Sequence, residues 1–331
     1  MNNIRVDIGK RLREGRQLAR DKYKKEEATK IGTLRAGNSG IMSNEGDIAG
    51  SCHRLAHLRS LGIQVQEPDD PTLVMFQLGI ISEDAIYNDL ILTVSSNEVI
   101  LREHEIPIEW TTTNNTKVTG RPDLVICEYE MTTAGDKQII PRLVIEAKSV
   151  ASVWVSRSVL LEKEPKISNL AQVGHYMWKL GVPGRLMYKQ YAIQAVPDMA
   201  FRFLPRNSEF IEYDERTGNP RNIKPFEIVY ELQYNKQKVL QYRIENTKKW
   251  INSVVSIPDI ERYYEFISRI TETGDLGNRP IAIKPNGKEM GYKPCKYCSL
   301  KDICGTKKNV EYTTWLAEVK NNIKVSVESS R

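Results

Sequence analysis

The chain is expected to fold as an α/β (α+β) protein, with a mixed central sheet flanked by helices. Three features of its 331 residues predict this. A long helical pattern precedes a run of alternating and β-branched segments. A second helical pattern interrupts those segments before strands resume. Hydrophobic residues make up 40% and charged residues 27%, as in a globular chain that buries a core. The length suits one large domain or two ordinary ones. No stretch approaches twenty apolar residues, so no helical membrane span is expected. The N-terminus, MNNIRVDIGKRLREGRQLARDKYKK, is basic and lacks the apolar run of a secretory signal. An intracellular, cytoplasmic protein is expected. The formal net charge of +6 is a weak pointer to a polyanionic partner.

The elements follow in order. Residues 1–45 read as a basic, polar, partly helical leader containing RAGNSG. In GSCHRLAHLRSLG, Leu55, Leu58 and Leu61 recur at helical spacing, and Gly62 is placed to cap that helix. EPDDP at 67–71 breaks the chain. TLVMFQLGIISEDAIYNDL predicts a helix over 72–90, with Met75, Leu78, Ile86 and Leu90 at helical intervals. NEVILREHEIPIEW alternates as strands do and is broken by Pro107. VTGRPDLVICEYE is β-branched, TTAGDK supplies a hairpin turn, and RLVIEAKSV reads as a buried strand. EPKISNLAQVGHYMWKLG predicts a helix starting near Pro165 and ending at Gly181. RLMYKQYAIQAV and FEIVYELQY read as strands, and 236–272 as helical. The last sixty residues hold Gly/Pro-rich loops and a cysteine cluster.

Three segments carry chemistry: the helix bearing Glu83, Asp123 in GRPDLVI, and Glu146-Ala147-Lys148 in LVIEAKS. On a strand, alternate side chains share a face. Glu146 and Lys148 therefore stand together while Ala147 turns into packing. If the two strands are hairpin neighbours, Asp123 approaches Glu146. Carboxylates with the backbone carbonyl of Ala147 form the hard oxygen site that Mg²⁺ or Mn²⁺ prefers. The lysine offers charge for a phosphate or a developing hydroxide. A bare D…E-x-K pattern is most often a solvated face. Here both carboxylates adjoin apolar, buried-looking strands, where an uncompensated charge is costly.

These residues resemble the core of the PD-(D/E)XK nucleases, with Asp123 as the motif aspartate and Glu146-Ala147-Lys148 as E-x-K. Gln172 and Tyr176 in AQVGHYMW resemble the Q-x-x-x-Y motif of the RecB-like members. The resemblance implies a restriction-endonuclease-like core, with Asp123, Glu146, Lys148, Gln172 and Tyr176 at the catalytic site. Glu83, Asp123, Glu146 and Ala147 would hold the metal. One departure stands in the first core helix. RecB-like nucleases often carry a histidine where this chain has Ser82. Gly79 and Glu83 match the G-x-x-x-E form of some phage exonucleases instead. His57, His104 and His175 are the remaining imidazole candidates.

Cys295, Cys298 and Cys304 form C-x2-C-x5-C, and a fourth thiolate is needed to close a tetrahedral site. Cys52 and Cys127 are the candidates; spacing alone is compatible with zinc. Cys52 followed by Arg54, with three cysteines after the nuclease core, resembles the iron–sulfur arrangement of AddB nuclease domains and CRISPR-associated RecB-like exonucleases. That likeness implies a [4Fe–4S] cluster on Cys52, Cys295, Cys298 and Cys304. The nuclease domain would then span 46–305, with a core at about 72–235, a helical region at 236–272 and a cysteine segment at 285–305. Residues 306–331 form a tail. The implied function is metal-dependent exonuclease action on DNA ends, preferring single strands, in recombination, repair or phage DNA processing. Arg54 and the N-terminal basic residues are candidate phosphate contacts, and Tyr129, Trp154 and Trp178 candidate stacking platforms. No G-x-x-x-x-G-K-[ST] motif is present, so a helicase or recombination motor would be a partner. The alternatives are a non-catalytic DNA-binding component and a restriction-type endonuclease.

Overall fold

The computed structural model describes residues 8–28, 31–63, 69–103, 105–133, 135–150, 159, 162–190, 211–223, 227–290, 295, 298, 300, 303–304 and 311–328. The N-terminal segment forms helix α1 (Ile8–Ala28), strands β1 (Thr33–Arg35), β2 (Gly40–Met42) and β3 (Ile48–Gly50), and helix α2 (His53–Ser60). Helix α3 (Asp70–Ile91) begins where EPDDP ends. Asp69 accepts from the Thr72 amide at 2.9 Å, and Pro71 sits in the first turn, where its missing N–H is no loss. Strands β4 (Glu98–Arg102), β5 (Ile108–Thr111), β6 (Lys117–Gly120), β7 (Leu124–Met131) and β8 (Lys137–Val150) follow. Helix α4 (Ile167–Leu180) ends at Gly181, whose φ of 70° is left-handed and whose N–H bonds the Met177 carbonyl. Beyond it lie β9 (Gly184–Gln190), β10 (Ile211–Tyr213), β11 (Pro220–Ile223), β12 (Glu227–Tyr234), β13 (Val239–Ile244) and β14 (Ile251–Ser256). Helices α5 (Ile257–Thr273) and α6 (Tyr312–Glu328) close the chain.

One seven-stranded sheet organises the fold, in the order β14-β13-β12-β9-β8-β7-β4. Its neighbours are antiparallel except β8 and β9, which are parallel and separated in sequence by α4. A parallel pair needs such a crossover. The sheet is covered on two faces, as the order of patterns predicts. Ile86 of α3 packs with Ile100, Leu124, Ile145 and Ala147 on one face. Leu170 and Val173 of α4 belong to the larger core that holds Val125, Cys127, Val144 and Leu186. A second sheet, β1-β6-β5, and the β2-β3 pair pack beside α4 and α5.

Three expectations change. Residues 236–272 are not helical throughout. Their first half is the antiparallel pair β13-β14, and only α5 is helical. VLQYRI buries Leu240 and Tyr242 on a period of two, and the turn before it is fixed by Asn235 Oδ1, which accepts from the Gln237 and Val239 amides at 3.0 Å. The leader is also part of the fold beyond α1, because β1 pairs in parallel with β6. Likewise the tail 306–331 contains α6, which buries Trp315 and Val319.

Candidate active site and cysteine pocket

The sheet register brings the carboxylates together. Arg102 pairs with Leu124 across β4 and β7, and Leu124 pairs with Ile145 across β7 and β8. One residue beyond that row stand Glu103, Asp123 and Glu146, at the same end of three adjacent strands. β7 starts at Leu124, so β8 outruns it, and Glu146–Val150 pair only with β9. The site occupies the edge that this leaves open. Asp123 Oδ2 accepts from the Ala147 N–H at 2.7 Å across it. In a strand the N–H and C=O of one residue leave on the same side. The Ala147 carbonyl therefore shares that edge with Asp123.

Glu83 reaches the same place from α3. Carboxylate oxygens of Glu83, Glu103 and Asp123 all lie within 4.8 Å of one another. The sequence reading named Glu83 and Asp123 and missed Glu103. Glu146 lies beside that triplet, fully buried, with Oε1 accepting from Lys148 Nζ and Oε2 without a hydrogen-bond partner. Ser82, where a histidine was sought, is buried and its hydroxyl makes no hydrogen bond.

The electrostatics report crowding of like charge. Burial, then Asp123 and Glu103, pushes the Glu83 carboxyl up to about 8. Burial and Asp123 likewise raise Glu146 to about 8. Burial also raises Asp123, against the pull of Lys148. Burial works to lower Lys148, but Glu146 and Asp123 outweigh it and hold the ammonium above its ordinary range. Glu146 and Asp123 thus hold Lys148 as an ammonium in the metal-free protein. Several carboxylates that resist ionising together, one with an orphaned buried oxygen, suit a divalent cation.

Gln172 and Tyr176 share one side of α4. Gln172 Nε2 donates to Tyr176 Oη at 3.2 Å, and Tyr176 Oη donates to the Arg121 carbonyl at 3.1 Å. Tyr176 is 1% exposed, so it supports the loop entering Asp123, while Gln172 lines a groove with Glu103 and Arg121.

The four cysteines converge. Cys52, Cys295, Cys298 and Cys304 line one small pocket with Arg54 and Arg279. Cys127 is excluded: it is fully buried in the core, its thiol 3.8 Å from the Val125 carbonyl. Arg54 is not a phosphate contact. It is 1% exposed and donates to the Leu276 carbonyl at 3.1 Å, the Gly277 carbonyl and Cys304 Sγ at 3.1 Å. Among the described residues, no three cysteine sulfurs come within 4.8 Å of one another. A single zinc with arms of about 2.3 Å would draw them to about 3.8 Å apart.

The other candidates fall elsewhere. His57 bonds Tyr312 Oη at 2.8 Å, and His175 lies between Trp110 and Tyr264, so neither faces the carboxylates. His104 and Trp154 lie outside the described residues. The Tyr129 ring is covered by Lys137 Nζ at 3.5 Å, and Trp178 by Lys179 Nζ at 3.3 Å. Among the described residues no helix is long and apolar enough to cross a membrane.

No protein-family model and no characterised protein matches the chain. Among solved structures, the chain shows a weak likeness to an alkaline exonuclease from Laribacter hongkongensis. The TM-score is 0.30 and the identity 16%, over 52% of this chain and 75% of that one.

Proposed function

We propose that the chain is a metal-dependent nuclease that hydrolyses phosphodiester bonds at DNA ends. One observation carries the reading: Glu83, Glu103 and Asp123 meet within 4.8 Å, beside a buried Glu146 paired with Lys148. The motif resemblance of Asp123, Glu146-Ala147-Lys148 and Gln172-x-x-x-Tyr176 agrees with it. Glu83, Glu103 and Asp123, with Glu146 and the Ala147 carbonyl adjoining, would hold Mg²⁺ or Mn²⁺. Bound there, the cation supplies Lewis-acid polarisation of the phosphate and of an attacking water. Lys148 does the rest of the electrostatic work. Its ammonium is held in place by Glu146 and offers donors to a phosphate oxygen as negative charge develops. Tyr176 fixes the backbone that delivers Asp123.

The cysteine pocket is read as a [4Fe–4S] site on Cys52, Cys295, Cys298 and Cys304. The support is the convergence of the four cysteines on one pocket together with the motif resemblance. Two guanidiniums, Arg54 and Arg279, stand where a thiolate-bound cluster would place negative charge. The role is structural: it would tie α2 to the segment after α5. Those segments already touch, since Arg54 of α2 donates to the Leu276 carbonyl at 3.1 Å and to the Gly277 carbonyl.

End-labelled oligonucleotides incubated with anaerobically purified protein, with and without Mn²⁺, test the proposal. Metal-dependent digestion that is lost in Asp123→Ala supports it; equal digestion by that variant sinks it. Linear DNA cut while closed circles survive marks an exonuclease. Cut circles mark an endonuclease. Binding without cutting in any metal marks the non-catalytic alternative.

A further inference from the structure

We propose that the groove running from Glu103 to Gln172 is the track of one polynucleotide strand, gripped through its phosphates by Arg35, Lys117 and Arg121. The assignment rests on the nuclease reading and extends it to a surface outside the motifs.

The groove begins at a carboxylate of the metal cluster, Glu103, and continues past Arg121 to Gln172, with Arg35 and Lys117 on its lining. A strand laid in it therefore has a phosphate delivered to the cluster. The cations come from the β1-β6 sheet, where Arg35 is in register with Thr119. Along β6 the burial alternates, with Lys117 exposed, Val118 buried and Gly120 buried. Arg121 follows on the exposed phase. Lys117 and Arg121 thus share a face about 13 Å apart at strand rise, which exceeds the reach of a single phosphate group. Lys117 pairs with Glu109 at 2.7 Å, but both are about half exposed, at 49% and 51%. Such a surface pair is weak and exchanges readily for a phosphate.

The groove's floor is set by glycine. A Cβ on Gly120 would lie 2.6 Å from the Tyr176 ring, so only glycine lets β6 lie against that ring. At the lip, a Cβ on Gly37 would meet nothing within 4 Å. A side chain added there enters open space without disturbing the fold, so Gly37 is a place to plug the groove.

The test is fluorescence anisotropy of a labelled oligothymidylate in EDTA, where no cleavage follows, titrated across salt. Arg35→Ala with Arg121→Ala is expected to weaken binding several-fold. It should also make the dependence of log K on log salt shallower by about 0.7 per lost phosphate contact. Gly37→Trp is expected to weaken binding while melting with wild type. Lys236→Ala, on an exposed turn that is no part of the groove's lining, is expected to bind as wild type does. Unchanged affinity and salt slope in the arginine variants, or indifference to the Gly37 plug, overturns the track. If the groove variants bind normally while wild type cuts, only this assignment fails. If wild type binds and cuts no nucleic acid in any metal, the nuclease reading itself has failed.

Discussion

Tyr176 donates its hydroxyl to the Arg121 carbonyl at 3.1 Å, two residues before Asp123. The tyrosine of the Q-x-x-x-Y pattern is therefore placed to act on the proposed metal site through the backbone. Tyr176→Phe leaves that carbonyl without its partner, at a cost of about 1–3 kcal/mol. The fold should survive. Outer partners of this kind are worth roughly 10–100-fold in activity or metal affinity, so turnover should fall by that order. Thermal melting and single-turnover cleavage check both parts. A variant that melts lower but cuts at the wild-type rate would separate Tyr176 from the site.

Glu103 makes the sharpest test of the carboxylate cluster, because no motif named it. Glu83 is pushed up to about 8 by burial and by its carboxylate neighbours Asp123 and Glu103. A carboxyl whose folded pKa is raised holds more protons folded than unfolded, so metal-free stability should fall as pH rises from about 4.5 to about 8. Glu103→Gln relieves repulsion and should raise the metal-free Tm at pH 8. At Mn²⁺ a hundredfold above Kd, wild type should gain about 2.7 kcal/mol. The variant should lose most of that gain. Melting with and without Mn²⁺ reads both signs, and an unchanged Mn²⁺ effect would remove Glu103 from the metal site.

How much of this was legible in the sequence depends on the range of the interactions. Local chemistry was readable: the Gly181 stop and the hairpin after Met131 stand where their residues announced them. So was the pairing of Asp123 with the Glu146 strand, since one tight turn joins those two segments. Glu103 was hidden because its placement needs the register of β4 on β7, which no local pattern specifies. A count from the end of EVILR would have put it beside Asp123, had β4 been assigned to that neighbour. Arg54 was misread because burial is not local: a guanidinium held by the carbonyls of Leu276 and Gly277 depends on contacts more than two hundred residues away. The strands at 239–256 were missed because short apolar runs count as helical or extended until their turn is recognised.

Glu146 is fully buried and its partner Lys148 partly so, so a single substitution should cost both stability and cleavage. Lys148→Ala removes the cation beside a carboxyl already pushed up to about 8, so Glu146 takes a proton at neutral pH and the cost should fall below the roughly 3–5 kcal/mol of a fully buried pair. The double variant Lys148→Met with Glu146→Gln should recover most of the stability and none of the cleavage. Urea denaturation compares the three proteins. A double variant as unstable as the single one would show that the pair's geometry, and not its charge, holds this edge of the sheet.

The cysteine pocket predicts a linked loss. Cys298→Ser should lose iron, brown colour and several degrees of Tm together. Arg54→Met, which removes the donor to Cys304 Sγ, should lower iron content without changing the cysteines. Zinc in place of iron in anaerobically purified wild-type protein, by elemental analysis, would overturn the cluster. Iron lost with Tm unchanged would overturn its structural role.

Acid should expose a buried imidazole. Trp110 Nε1 donates to His175 Nε2 at 3.0 Å, so Nε2 is the unprotonated nitrogen and Nδ1–H faces Tyr264 Oη at 3.2 Å. A proton on Nε2 would set two donors against each other. Burial, helped by Lys179, holds His175 down at about 3. The sign follows from the unfolded chain, whose histidine takes up a proton below about 6.5 while the folded one does not. Stability is therefore lost as pH falls from about 6.5, by about 2.7 kcal/mol at pH 4.5 for this one group. His53 and His57, each lowered to about 4 by burial, add losses of the same sign. His175→Gln keeps a side chain that can accept from Trp110 and removes the titration. Its stability deficit at pH 7 should shrink by about 2–3 kcal/mol at pH 4.5. Parallel stability curves for wild type and variant over that range would mean that His175 already carries its proton in the fold, and the Trp110 hydrogen bond would have to be redrawn.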